Sequence, residues 1–127
     1  MKPFLEFVEK KDANAFFSKL FAVRDHAHQL HLSTKSYAQH KALGSFYESL
    51  LTLIDQIVET YQGEYDLVKL SMGQSDLSDD PLTFIKDFAE YVTESRKLFA
   101  GDTHLQNMID EILSLSYQTL YKVRFLK

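Results

Sequence analysis

Residues 36–63 read SYAQHKALGSFYESLLTLIDQIVETYQG, and the periodicity of this stretch decides the fold. Leu43, Phe46, Leu50, Ile54, Ile57 and Tyr61 recur at three- and four-residue spacing, which puts them on one face of a helix and does not fit the alternation of a strand. Ser36 followed by Gln39 is a capping-box signature, in which hydroxyl and amide satisfy free N–H groups at a helix start. The stretch predicts a long helix that begins near Tyr37 and continues through Tyr61 to Gly63, a natural residue for the position just past a helix end.

Working outward, Phe17, Leu20, Phe21, Ala27 and Leu30 predict a helix over 14–31, with a separate short helical turn over 4–8 before it. Ser33-Thr34-Lys35-Ser36 interrupts the pattern. Past Gly63, residues 64–80 shift to Gly, Ser and Asp, and Tyr65, Leu67, Val68, Leu70 and Met72 support one short helix among them. Asp80-Pro81 is an N-cap followed by proline at the first helical position. It opens a helix whose buried stripe is Leu82, Ile85, Phe88, Ala89, Val92 and Phe99, ending at Gly101. Asp102 or Thr103 caps a last helix carrying Leu105, Ile109, Ile112, Leu113, Tyr117, Leu120 and Val123 at helical spacing. The acidic run from Asp76 to Asp80 reads as a solvated loop. Two short-linked helical hairpins joined by a longer connection describe an all-α four-helix bundle with a crossover, the class in which the ferritin-like fold is well populated. One such domain accounts for residues 1–127.

Composition narrows the chemistry. Hydrophobic residues make up 45% of the 127, with 10 Phe and 7 Tyr to fill one core. Cys is absent, so thiolate metal sites and cysteine nucleophiles are excluded, and a reducing cytoplasm suits the chain. The formal charge of −4 argues against non-specific nucleic-acid binding, which depends on neutralising phosphates. Charges interrupt the first ten residues before a signal-peptide core builds up, and no apolar run approaches the roughly 20 residues needed to cross a bilayer. A soluble, cytoplasmic protein is expected.

Four of the five histidines fall between positions 26 and 40. His28 and His31 are one turn apart on the apolar stripe of the first helix, and His40 lies in the first turn of the second. On that second helix Leu51 sits about 20° from His40, Asp55 about 60° and Glu59 about 100°. Asp55 and Glu59 form an i,i+4 pair of carboxylates near an apolar face, and burying them unpaired asks for a cation. Imidazole with carboxylate oxygens suits iron, manganese or zinc. Taken singly, a His on an apolar stripe is ordinarily a hydrogen-bonded core residue, and an acidic pair is ordinarily a solvated edge. Distance adds a constraint: His40 and Asp55 are roughly 22 Å apart along one helix and cannot share an ion within a chain. Two copies of the helix packed antiparallel across a two-fold axis would bring His40 of one against Asp55 and Glu59 of the other, in two equivalent sites.

The stretch from His28-Gln29-Leu30-His31 through Ser36-Tyr37-Ala38-Gln39-His40 to Asp55 and Glu59 resembles the Dps proteins, or mini-ferritins, whose motif has one His at the end of the first helix, a second early in the next, then Asp and Glu. His40, Asp55 and Glu59 match at the family's spacing. The first His matches His28 if the interhelical loop keeps its usual length, and His31 if the loop is three residues shorter; His31-Leu32 then replaces the family's His-Trp. The resemblance covers about residues 14–63 and 98–126, and extends to small Dps-like proteins of phage genomes, for which the compartment would be the host cytoplasm. It implies a ferroxidase centre between two subunits, with ligands His31 or His28, His40, and Asp55 and Glu59 of the neighbouring chain. Electrons would pass from Fe2+ to peroxide or dioxygen, and a homo-oligomer, up to a dodecameric cage, would store Fe3+. Two departures stand out. The carboxylate usual one turn after the second His is Gly44 here, with Glu48 one turn further on as a partial replacement, and the family's Lys-rich DNA-binding tail is missing.

Two other readings follow from the same residues. Gly44 favours a degenerate ferritin-like protein serving as a structural or interaction module. Arg24 and His31 satisfy the loose R-x(4–6)-H spacing that resembles HEPN-type ribonucleases, in which such a pair binds phosphate. His104 reads as a surface or capping residue, and Tyr37 and Tyr47 as packing.

Overall fold

The computed structural model describes the backbone of residues 4–71 and 76–127, and side chains from Ala13 onward within those spans. Among the described residues the chain is all-helical, with α1 (Phe4–Ser33), α2 (Tyr37–Glu64), α3 (Pro81–Ser95) and α4 (Thr103–Phe125), and a 3-10 turn at Arg96–Phe99 that continues α3. None of these helices is long and apolar enough to cross a membrane.

The first helix differs from expectation at its start. The turn over 4–8 and the helix over 14–31 are one continuous element. Lys10-Lys11-Asp12-Ala13 between them contains neither Gly nor Pro, so nothing stops helix propagation there. The second helix begins as expected, with Gln39 N–H donating to Ser36 Oγ at 3.2 Å. The other half of the capping box is replaced. Gln39 Oε1 accepts from the Thr34 hydroxyl at 2.7 Å, and Thr34 Oγ1 accepts the Ser36 N–H at 3.1 Å, so Thr34 relays between them. Gly63 does not end the helix either. It remains helical, α2 closes at Glu64, and the Tyr65 N–H caps back to the Tyr61 carbonyl at 2.8 Å. The expected short helix is absent from the described part of the connection, since residues 66–71 are irregular; Met72 lies outside the described residues.

The core is drawn from all four helices. Phe16, Phe17, Phe46, Phe84 and Phe99 are fully buried in it, each contributing roughly 1.5–3 kcal/mol relative to exposure. The whole expected stripe of α2 is buried. Three expected core residues lie outside it: Phe21 is 39% exposed, Leu82 37% and Tyr117 56%. On α4 the positions beside Tyr117 that face inward are Ser116 and Thr119. Their hydroxyls donate to the carbonyls of Ile112 (2.8 Å) and Leu115 (2.9 Å), which lets polar residues occupy a core face.

Helix α1 packs on α2, α2 on α4 and α4 on α3, with α3 meeting α1 more lightly. The described parts of the connection from α2 to α3, on either side of residues 72–75, lie along α1. Lys69 N–H donates to Asn14 Oδ1 (3.1 Å), Ser71 N–H to Ser18 Oγ (3.0 Å), and His26 Nε2–H to the Ser78 carbonyl (2.8 Å). These tethers advance about 18 Å along α1, so α3 starts at the C-terminal end of α1 and runs parallel to α2. Gly101, at φ +90°, turns the chain into α4.

Asp80 caps α3, its carboxylate accepting the Thr83 N–H (3.0 Å) and hydroxyl (2.8 Å). Those bonds hold its carboxyl below the ordinary value. Asp80→Ala is expected to lower stability by about 1 kcal/mol at neutral pH. Because the folded-state value is the depressed one, the contribution is present above the unfolded carboxylate value of about 4 and lost as pH falls through the folded value. Urea unfolding of the two proteins is expected to converge in acid.

Candidate functional site

At the junction of α1 and α2 the structure joins two of the histidines singled out by sequence. His31 Nδ1–H donates to the His40 carbonyl at 2.6 Å, and His40 Nδ1–H donates to the His31 carbonyl at 2.7 Å. The rings stack with centroids 3.7 Å apart and planes 17° from parallel. The His31 carbonyl is one of the last in α1 and has no partner further along its own helix, so His40 caps it. A carbonyl only accepts, so each Nδ1 must carry a proton, and in the neutral ring the lone pair falls on Nε2. Both imidazoles therefore keep a metal-competent nitrogen that the backbone does not use.

Gly44, one turn after His40, leaves the space that the His31 ring occupies. A Cβ built there would meet His31 Cε1 at 3.0 Å and Nδ1 at 3.1 Å. The position that carries a carboxylate in the mini-ferritin pattern is here filled by the His31 ring. His28 belongs to the next layer, stacking on Tyr47 at 4.2 Å, with His31 edge-on to the same ring at 5.4 Å. Of the two alternatives for the first His, it is His31 that the structure brings to His40. The Arg24 guanidinium carbon lies 5.6 Å from the Tyr47 centroid, and Nη1 is 3.6 Å from Asp25. Arg24 and His31 thus approach the same tyrosine. Tyr47 packs as expected, whereas Tyr37 is 74% exposed.

The carboxylates stand apart. Glu48, Asp55 and Glu59 are all exposed on the outer side of α2, beside the partly exposed Leu51. Among the described residues, no three-donor cluster includes His28, His31 or His40. One chain supplies the imidazoles at one level of α2 and the carboxylates at another.

Two groups escaped the sequence reading. His26, between Phe84 (centroids 4.9 Å) and Asp79 (3.5 Å), fastens the connection to α1. His104 is exposed as expected but pairs with Glu64 at 2.6 Å beside Asp102. Neither pairing has a sequence signal, because each joins residues at least 40 apart.

The model of a family described as "Family of unknown function (DUF5856)" matches residues 31–123, from the first clasped histidine to the last turns of α4. An uncharacterized 14.6 kDa protein of the mobD-ri intergenic region of Enterobacteria phage T4 is 32% identical over 110 residues, covering 86% of this chain and 85% of the relative. No solved structure matches the chain.

The steric role of Gly44 has a measurable signature. Replacing an exposed mid-helix Gly by Ala ordinarily stabilises by roughly 0.5–1 kcal/mol, but here the methyl meets a ring fixed by stacking and a hydrogen bond. Gly44→Ala is expected to destabilise the wild type and to stabilise a His31→Ala background. Chemical denaturation of the four proteins of this double-mutant cycle measures the coupling; additivity would show that the ring yields freely.

Proposed function

The chain belongs to the DUF5856 family, and on that premise we propose that it is a ferritin-like helical bundle that binds ferrous iron between two copies of itself. His31 and His40 of one copy supply imidazole nitrogens, and Asp55 and Glu59 of the second supply carboxylate oxygens. Two observations support the fold half of this reading. The helices pack in the cyclic order α1–α2–α4–α3, and the connection between α2 and α3 travels along α1. A bundle with one long crossover of this kind is ferritin-like.

The single observation that carries the functional half is the reciprocal Nδ1 bonding of His31 and His40. Backbone acceptors on Nδ1 orient metal-binding histidines and direct Nε2 outward. Two nitrogens and two carboxylates make a donor set suited to iron, manganese or zinc. One chain alone does not complete it, since its carboxylates lie along α2 away from the histidines and stay exposed. An antiparallel pairing of two α2 helices completes it twice. With Gly44 in the place of a further carboxylate, the site has fewer oxygens to bridge a second iron, so binding is its primary property. Transfer of an electron from each Fe2+ to dioxygen or peroxide is the slower step.

The same clasp also supports a second reading, a non-catalytic structural or interaction module. The fit of His31 against Gly44 favours it, because packing alone accounts for that contact.

Anaerobic Fe2+ titration with light scattering separates the two. The iron reading predicts a dimer or a multiple of one, with one saturable Fe2+ per chain lost in His40→Ala and in Asp55→Asn/Glu59→Gln. Co-expressing those two variants is expected to restore roughly a quarter of wild-type capacity, since half of randomly paired dimers are mixed and each has one intact site of two. A monomer, or a wild type without saturable binding, leaves the structural module.

A further inference from the structure

Glu64 closes α2, Asp102 precedes α4, and His104 lies in the first turn of α4. They meet about 36 Å along α2 from His40, at the opposite end of the molecule from the clasped histidines. His104 Nε2–H donates to Glu64 Oε1 at 2.6 Å. One donor atom from each of the three residues lies within 4.8 Å of the other two. Asp102 is the N-cap residue of α4, yet its side chain makes no capping bond. Its Oδ2 instead accepts the Tyr65 hydroxyl at 2.5 Å. An aspartate at this position ordinarily turns onto the helix N–H groups; Tyr65 holds this one away from them, beside Glu64 and His104.

We propose that Glu64, Asp102 and His104 form a binding site for one divalent cation of the zinc class, separate from the two-copy site and independent of it. One imidazole and two carboxylates with a fourth position open to water is a zinc donor set, and the absence of thiolates does not weaken it. Bonds of about 2.0–2.2 Å in a tetrahedron set donors about 3.3–3.6 Å apart. The His104–Glu64 pair widens to admit the ion and the remaining donors draw together. The His104 ring passes to its other neutral tautomer, its Nε2 proton going to water and one from water returning at Nδ1, so that the Nε2 lone pair faces the metal. Tyr65, donating to Oδ2, leaves Oδ1 of Asp102 to face the ion, the role of an outer-sphere partner that orients a ligand. The bound cation joins the end of α2 to the start of α4.

Zinc titrated into the full chain, with imidazole resonances followed by NMR, tests the assignment. Saturable shifts of His104 are expected, and Asp102→Asn and Glu64→Gln are each expected to weaken the zinc affinity they report by at least about tenfold. His40→Ala, which removes a ligand of the other site, is expected to leave the His104 response unchanged. Unmoved His104 resonances, or His104 shifts that saturate at the same zinc concentration in Glu64→Gln as in the wild type, would overturn the proposal. A response at His104 without one at His40 counts against the two-copy reading alone, and the converse counts against this site alone.

Discussion

His31 and His40 sit where the last turn of α1 meets the first turn of α2, and each donates its Nδ1 proton to the other's backbone carbonyl. Each bond contributes about 0.5–1.5 kcal/mol net, and together they fix the approach of two helices linked by only three residues, Thr34-Lys35-Ser36. The pair caps one helix end, orients two rings and packs tightly against the glycine at position 44. Tyr47, His28 and Arg24 then layer against the same corner. The exposed side of α2, with its carboxylates, is the side turned away from α1 and α4.

The opposite constraint acts on the connection. Side chains of Asn14, Ser18 and His26 engage the connecting backbone and carry it along α1, which sets the direction of α3 and so the order of the ring. The Asp80 cap and Pro81 then start α3 at one residue. Polar atoms on α1 thus accomplish what apolar packing does elsewhere, because an irregular connection has backbone groups that need partners.

Where sequence alone succeeded, a local rule coincided with the tertiary one. Ser36 and Asp80-Pro81 start helices by chemistry confined to four residues, and the stripe of α2 is apolar throughout because that helix is flanked by two others. Phe21 and Tyr117 are apolar yet exposed, because hydrophobicity alone does not bury a residue, while Ser116 and Thr119 enter the core by bonding to their own helix. In the candidate site, His40 and the alternative His31 were legible from spacing. The meaning of Gly44 was not. It reads as a missing ligand until the His31 ring is found in the space a side chain would fill. The meeting of Glu64, Asp102 and His104 has no local signature, since it exists only once α4 packs on α2.

Both the clasp and the free Nε2 atoms depend on which ring nitrogens carry protons. Imidazole 15N chemical shifts of the metal-free protein near neutral pH report this directly. The prediction is that His31 and His40 are both protonated at Nδ1, with a lone pair on Nε2. Nε2–H tautomers for either ring, or the averaged shifts of a ring exchanging freely between tautomers, would mean that the carbonyls do not hold these histidines and would contradict the account at its base.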